Sequence, residues 1–121
     1  MNKMRKAFSY IFPIAAAMLA DNTSAKALAG LINEEPLSLD LSGYGGFEKV
    51  GSLPQSLPRN DERITTEPGD IILYLGNHIT IYYDVNTWDF TRLGRVNDIT
   101  QSELKEILGN GDVTVALSTA N

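Results

Sequence analysis

The sequence predicts a mainly β domain, a closed or nearly closed β-barrel capped by two short helices, and three observations support this fold class. Several short runs alternate apolar and polar residues as half-buried strands do, and glycine or proline turns separate them. Two segments, about 23–32 and 100–108, carry apolar residues at helical spacing. A chain of 121 residues has room for one core, so these elements are expected to form one domain.

Composition narrows the classes of function. Without cysteine the chain has no disulfide, thiolate metal site or cysteine nucleophile, although this leaves its redox compartment undecided. A net charge of −5 and a pI near 4.7 argue against nucleic acid and anionic membrane surfaces as partners. The only histidine, His78, falls at the tip of a predicted hairpin as a surface turn residue. No second ligand is placed near it, so neither a metal nor a cofactor is expected.

The first twenty residues admit two interpretations. They carry Lys3, Arg5 and Lys6 and no acid, so their charge is +3 against −8 for the remainder. A basic start, an apolar run and small residues fit an export signal, and the run is too short to span a bilayer as a helix. Alternatively, residues 1–16 are an irregular segment and 17–121 form the domain of a cytoplasmic protein. The mass of the mature N-terminus would distinguish cleavage from retention.

The first half of the chain contains one predicted helix and one clear strand. Capping-type residues open "DNTSAKALAGLI", whose apolar residues share one face of a helix over about 23–32. The strand 37–41 alternates strictly, with its three leucines inward. A glycine-rich stretch follows, but Glu48 stands where a dinucleotide-binding fingerprint needs its third glycine. Turns and bulges therefore explain these glycines better.

The middle of the chain combines a long irregular segment with a hairpin. Residues 51–69 hold three of the five prolines, so little regular pairing is expected, and a loop of this length is usually functional or mobile. "IILYL" and "ITIYY" flank "GNH", which predicts a β-hairpin over about 71–83. The next strand, "WDFTRLGRV" at 88–96, is expected to carry a bulge at Gly94.

The most strongly patterned helix is "TQSELKEILGNG". Thr100 is its predicted N-cap, Glu103 completes a capping box, and Gly109 stands where the helix should end. A final alternating strand is predicted over 112–117.

Four stretches, "ADNTSAKAL", "GDIILYLGN", "FTRLGRV" and "LGNGDVTVAL", occur in an order and at separations that resemble the bacterial cyclophilin-like domain family. The resemblance covers about residues 17–117. It implies a cyclophilin-like β-barrel with a helix at each end and a first strand that runs into the Asp-Asn before the first helix. Cleavage near Ala17 would remove most of that strand and leave a barrel edge unpaired, which favours retention. The arginine-to-aromatic motif of true cyclophilins is not recognisable, so no catalytic residue is carried over.

The strand that begins at Trp88 raises the main question about a site. With a period of two, Trp88, Phe90 and Arg92 share one face, so an arginine is aligned with two large aromatics. The face could point to solvent as a binding patch, or a bulge could place Arg92 at the barrel rim. In the third arrangement Arg92 turns inward and pairs with Glu48 or Asp70. A structural role, at the rim or in an inward ion pair, is favoured over ligand contact.

The aromatic residues of neighbouring strands suggest a groove that takes a peptide or a small apolar ligand. Its predicted contacts are Arg92, Phe90, Trp88 and Tyr83, with the 51–69 loop at its edge. The expected function is a non-catalytic binding module. The alternative is a peptidyl-prolyl isomerase of low activity, which an arginine within reach of a proline-sized pocket would favour. The sequence does not define the ligand or the oligomeric state.

Overall fold

The computed structural model describes residues 6–10, 14–44, 48–96, 99–109 and 111–119, which contain nine strands and two helices. The strands are β1 (Lys6–Tyr10), β2 (Ile14–Leu19), β3 (Leu37–Tyr44), β4 (Glu48–Ser52), β5 (Glu62–Thr65), β6 (Asp70–Tyr74), β7 (His78–Tyr82), β8 (Thr87–Val96) and β9 (Val113–Thr119). The helices are α1 (Thr23–Glu34) and α2 (Gln101–Leu108). The predicted mainly β domain with two short helices is confirmed.

The strands form one curled antiparallel sheet in the order β2-β1-β9-β3-β4-β7-β6-β8-β5. The two ends of the curl meet along a short seam, where Ala17–Leu19 of β2 pairs with Gly94–Val96 of β8. The first half of β8 pairs with β5 instead, and a register shift opposite Ile71 and Ile72 lies between the stretch of β8 paired with β5 and the stretch paired with β2. The barrel is therefore open beside this seam, which corrects the expectation of a closed barrel.

The inner face of the curled sheet and the two helices share one hydrophobic core. The sheet contributes leucine, isoleucine and valine side chains, among them Leu39, Leu41, Ile71, Leu73, Ile79, Ile81, Leu93 and Val115. Leu28 and Ile32 of α1 and Leu104 and Leu108 of α2 complete it. The empty space within the core is only about 20 Å³. Side chains therefore fill the interior and leave little room for a ligand.

Both helix starts follow the predicted capping chemistry. Asn22 caps α1, since its Oδ1 accepts a hydrogen bond from the Ala25 N–H at 2.7 Å. Its Nδ2 donates to the carbonyl oxygen of Arg92 at 2.8 Å and so ties the helix to β8. The predicted capping box of Thr100 and Glu103 is present at the start of α2.

Regular structure extends further than the sequence suggests in two places. Residues 6–10 and 14–19 are strands, although alanines are poor strand formers, because β1 pairs with both β2 and β9. The 51–69 segment contains β5, which occupies a proline-free stretch and pairs with β8. Whether the N-terminal segment is cleaved stays a prediction. Neither α1 nor α2, the two helices of the described residues, has the length and apolar content of a membrane-spanning helix.

The hairpin and the bulge that shape the site are confirmed. β6 and β7 pair from Tyr74 and His78 onward, and the turn between them uses positive φ angles at Leu75 (56°) and Gly76 (81°). Ile71 lies opposite Gly94 and Ile72 lies opposite Arg92, so the intervening Leu93 is the extra residue of the bulge. Residues before and after this bulge therefore keep different registers with β6.

Candidate functional site

A second apolar surface lies on the side of the sheet away from the main core. Successive side chains of a strand point to opposite faces, so residues between the core positions of β4, β6, β7 and β8 lie together on this surface. Four of its members form a separate buried cluster, Ile64, Ile72, Tyr82 and Phe90. A cavity of about 330 Å³ lies over it. The cavity is lined by Glu48, Val50, Tyr74, His78, Thr80, Tyr82, Asn86, Trp88 and Phe90.

Aromatic rings make up much of the cavity wall. The ring centroid of Phe90 lies 6.1 Å from that of Tyr74 and 5.5 Å from that of Tyr82, both at angles typical of tilted or edge contacts. Trp88 is 53% exposed, and the Arg63 guanidinium lies 5.9 Å from the centre of its ring. The cavity therefore has an apolar wall of packed aromatic rings and one aromatic residue that solvent reaches.

One end of the cavity carries a buried carboxyl group. Glu48 is 7% exposed, and its carboxyl group forms a hydrogen bond with the Tyr82 hydroxyl, which in turn accepts from the Asn86 Nδ2 at 3.3 Å. Burial raises the pKa of Glu48, and the hydrogen bond with Tyr82 offsets this in part. Burial also raises the pKa of Tyr82. Glu48 is the only acidic residue among those that line the cavity.

The opposite end of the cavity carries His78. β7 pairs with β4 so that His78 faces Ser52, four residues along the strand from Glu48, a span of about 13 Å at the usual rise. The Nδ1 of His78 is buried and has no hydrogen-bond partner in the part of the chain that the structure describes. The expectation of a surface turn residue is corrected, because the hairpin turn ends at Asn77 and His78 begins β7.

Arg92 is held by Asp70 near the bulge. Its Nη2 lies 3.1 Å from the Asp70 Oδ2, and the Arg92 side chain is 34% exposed while that of Asp70 is fully buried. Asp70 also accepts hydrogen bonds from the Arg95 Nε at 2.7 Å and the Glu67 N–H at 2.9 Å. The hydrogen bond to Asp70 raises the pKa of Arg95. The predicted ion pair is thus confirmed with Asp70 as the partner and without Glu48, but it lies on the outer face of the sheet, since Arg92 stands opposite Ile72 of the outer cluster.

The cavity brings together two of the four predicted contact residues. Trp88 and Phe90 line it, as expected from their shared face. Arg92 lies outside the cavity lining, and Tyr83 packs against the main core on the other face. The 51–69 segment is anchored by Leu53 and Leu57, which are buried in that core. Contact of any of the four residues with a ligand stays a prediction.

The four predicted contacts do not include Glu48, Tyr74 and Tyr82, which line the cavity. Continuous apolar runs such as "IILYL" and "ITIYY" indicate strands that are buried on both faces, and such runs do not show which face holds a cavity. The period of two in a strand does indicate a shared face for these residues. Tyr74 and His78 flank the hairpin turn, and Tyr82 follows His78 at an even spacing. Glu48 lies on a separate strand, which only the pairing of β4 with β7 brings to this surface.

The described residues contain no group of three histidine, aspartate or glutamate side chains placed to hold a metal ion. The polar groups at the cavity are instead spread along its length, with Glu48 at one end and His78 at the other.

Comparisons with known proteins support the fold. A family model described as the Cyclophilin-like family matches residues 14–118. The solution structure of a hypothetical protein from Archaeoglobus fulgidus is similar, with a TM-score of 0.62 and 12% sequence identity. The alignment covers 97% of this chain and 95% of the archaeal chain. A comparison of the sequence with curated proteins gave no match.

Proposed function

The chain belongs to the Cyclophilin-like family, and we propose that it is a non-catalytic binding module whose ligand site is the cavity on the outer face of β4, β6, β7 and β8. The observation that carries this proposal is the contrast between the two faces of the sheet. The inner face encloses about 20 Å³, whereas the outer cavity has about 330 Å³. A concave site with aromatic walls and few polar groups is typical of small-ligand sites.

The proposed ligand is a small molecule or a peptide side chain with an apolar body. Trp88 is the only tryptophan in the chain and lines the cavity, so its fluorescence reports on occupancy directly. We expect 2-phenylethanol to change this fluorescence saturably, with a Kd of about 1 mM, as befits a ligand of this size.

A cavity-filling variant provides the control for this titration. Thr80 is buried in the cavity wall, and Thr80→Phe would fill the space with a ring, so the response should be lost. Thr114→Phe makes the same change at an exposed position of β9 and should bind like the parent. Binding to Thr80→Phe with parental affinity would refute the cavity as the ligand site, as would no response from the parent protein.

We predict no appreciable isomerase turnover on a proline-containing tetrapeptide. Arg92, the arginine aligned with the cavity aromatics, is bound to Asp70 and lies outside the cavity lining. Uncatalysed X–Pro isomerisation takes tens to hundreds of seconds, so weak catalysis would be visible in a standard peptide assay. A rate that rises in proportion to protein concentration would favour the isomerase alternative instead.

A further inference from the structure

We propose that the ligand of this cavity carries a positively charged amine, which the Glu48 carboxylate binds while the aromatic wall holds the apolar body of the ligand. The inference rests on the proposed function, since it names the chemical class that the same cavity takes. The ligand would extend along β7 from the Glu48 end toward the His78 end.

Two buried carboxyl groups in this protein have opposite surroundings. Asp70 is fully buried and is paired with Arg92 and Arg95. Glu48 is almost as buried, yet no lysine or arginine among the described residues forms an ion pair with it. A carboxylate away from water is costly unless a cation or several hydrogen bonds compensate it. Arg92 and Arg95 compensate the charge of Asp70 within the chain. Glu48 faces the cavity, where a cationic ligand could compensate its charge.

The remaining wall of the cavity also suits a cation. The faces of aromatic rings attract an ammonium group, and Tyr82 and Phe90 lie beside the Glu48 end in mutual ring contact. The Arg63 guanidinium lies over the Trp88 ring, 5.9 Å from its centre, so one face of this indole already contacts a cation. None of the residues that line the cavity is a lysine or an arginine, and Arg63, which lies over Trp88, is paired with Asp89.

At the far end, His78 offers a second polar contact. Its buried Nδ1 has no partner among the described residues and can accept or donate a hydrogen bond according to its tautomer. A ligand with an amine at one end and a hydroxyl or carbonyl group at the other would satisfy both ends of the cavity. The spacing of about 13 Å between these ends favours an elongated ligand over a compact one.

The pH dependence of amine binding follows from the surroundings of Glu48. Tyr82 forms a hydrogen bond with Glu48, and Tyr74 and His78 are the other titratable groups that line the cavity. Burial raises the pKa of Glu48, so the carboxyl group becomes neutral at a higher pH than an ordinary glutamate. Amine affinity should therefore fall as the pH is lowered. Glu48→Gln should abolish this fall, and that result would identify Glu48 rather than His78 as the group responsible for it.

The test compares three ligands of one skeleton by Trp88 fluorescence: the phenethylammonium ion, neutral 2-phenylethanol and the phenylacetate anion. We expect the ammonium ion to bind the parent at least about tenfold more tightly than the alcohol, with phenylacetate weakest. Glu48→Gln keeps the shape of the side chain and an acceptor for Tyr82, so alcohol binding should persist while the preference for the cation is lost. Glu106→Gln removes the same charge from an exposed position of α2 and should retain that preference.

Failure of the inference and failure of the proposed function give different results. If the alcohol binds the parent as tightly as the ammonium ion, the inference is overturned and the cavity remains the proposed ligand site. The same conclusion follows if Glu48→Gln keeps the tenfold preference. If none of the three ligands binds, both the inference and the proposed function are contradicted.

Discussion

Asp70→Ala is expected to lower the free energy of unfolding by about 3 kcal/mol, within the range for breaking a buried ion pair. The fully buried carboxylate bonds to Arg92, Arg95 and the Glu67 N–H, so its loss leaves all three donors without their shared acceptor. The Nε of Arg92 is buried and has no partner among the described residues, so loss of Asp70 leaves this side chain without the ion pair that holds it there. Urea unfolding measures the effect.

Two further substitutions sharpen this prediction. Arg92→Ala should be less harmful than Asp70→Ala, since Asp70 keeps Arg95 and the Glu67 N–H as donors. Asp89→Ala removes the exposed partner of Arg63 and should cost roughly 0–1 kcal/mol, as exposed pairs do. If Asp70→Ala unfolds within about 0.5 kcal/mol of the parent, the ion pairs do not anchor β8 and Arg92 is available for another role.

Gly94→Ala is expected to lower the free energy of unfolding by about 3 kcal/mol, at the upper end of the cost of overpacking. A Cβ at position 94 would fall on the carbonyl oxygen of Met18 and lie 3.3 Å from the Cα of Leu19. Both are backbone atoms of β2, so the added methyl group can be accommodated only by moving the strand. The seam between β2 and β8 should then separate, because only three residue pairs join them.

Hydrogen exchange gives a local measurement of that separation. The Ala20 N–H donates to the Leu93 carbonyl at 2.8 Å next to the seam, and its protection should fall in Gly94→Ala. Gly30→Ala is the matched control, since Gly30 lies in α1 with nothing within 4 Å of the added Cβ. This variant should be neutral or more stable by up to about 1 kcal/mol. Parental stability and protection in Gly94→Ala would show that the seam is not a tight contact.

Local patterns predicted much of the fold. The capping box at Thr100, the hairpin between β6 and β7 and the bulge beside Gly94 each depend on a few neighbouring residues, and each is confirmed. β5 is not predicted because its partner, the first half of β8, lies far along the chain. β1 is not predicted because the alanine-rich segment after it is poor strand material, although β1 pairs with this adjacent β2 as well as with β9. β5 follows the proline-rich part of the 51–69 segment and is strand only because the first half of β8 lies beside it.

The sequence predicts only part of the candidate site, because some of its residues come together only through the pairing of separate strands. The alignment of Trp88, Phe90 and Arg92 follows from the period of a strand, and Asp70 is one of the two acids predicted as the partner of Arg92. Arg92 keeps the register of Phe90 and Trp88, because the bulge at Leu93 follows it, but its side chain is bound to Asp70 and lies outside the cavity lining. Glu48 reaches the same cavity through the pairing of β4 with β7, which no local pattern specifies.

The proposed binding function is tested most directly by a crystal structure of the protein with bound ligand, either carried through purification or soaked in as the phenethylammonium ion. We predict ligand density over the outer face of the sheet, with its apolar body against Phe90 and Trp88 and its charged end at Glu48. Density at a different surface, or a cavity that takes up only water at a saturating ligand concentration, would contradict the account.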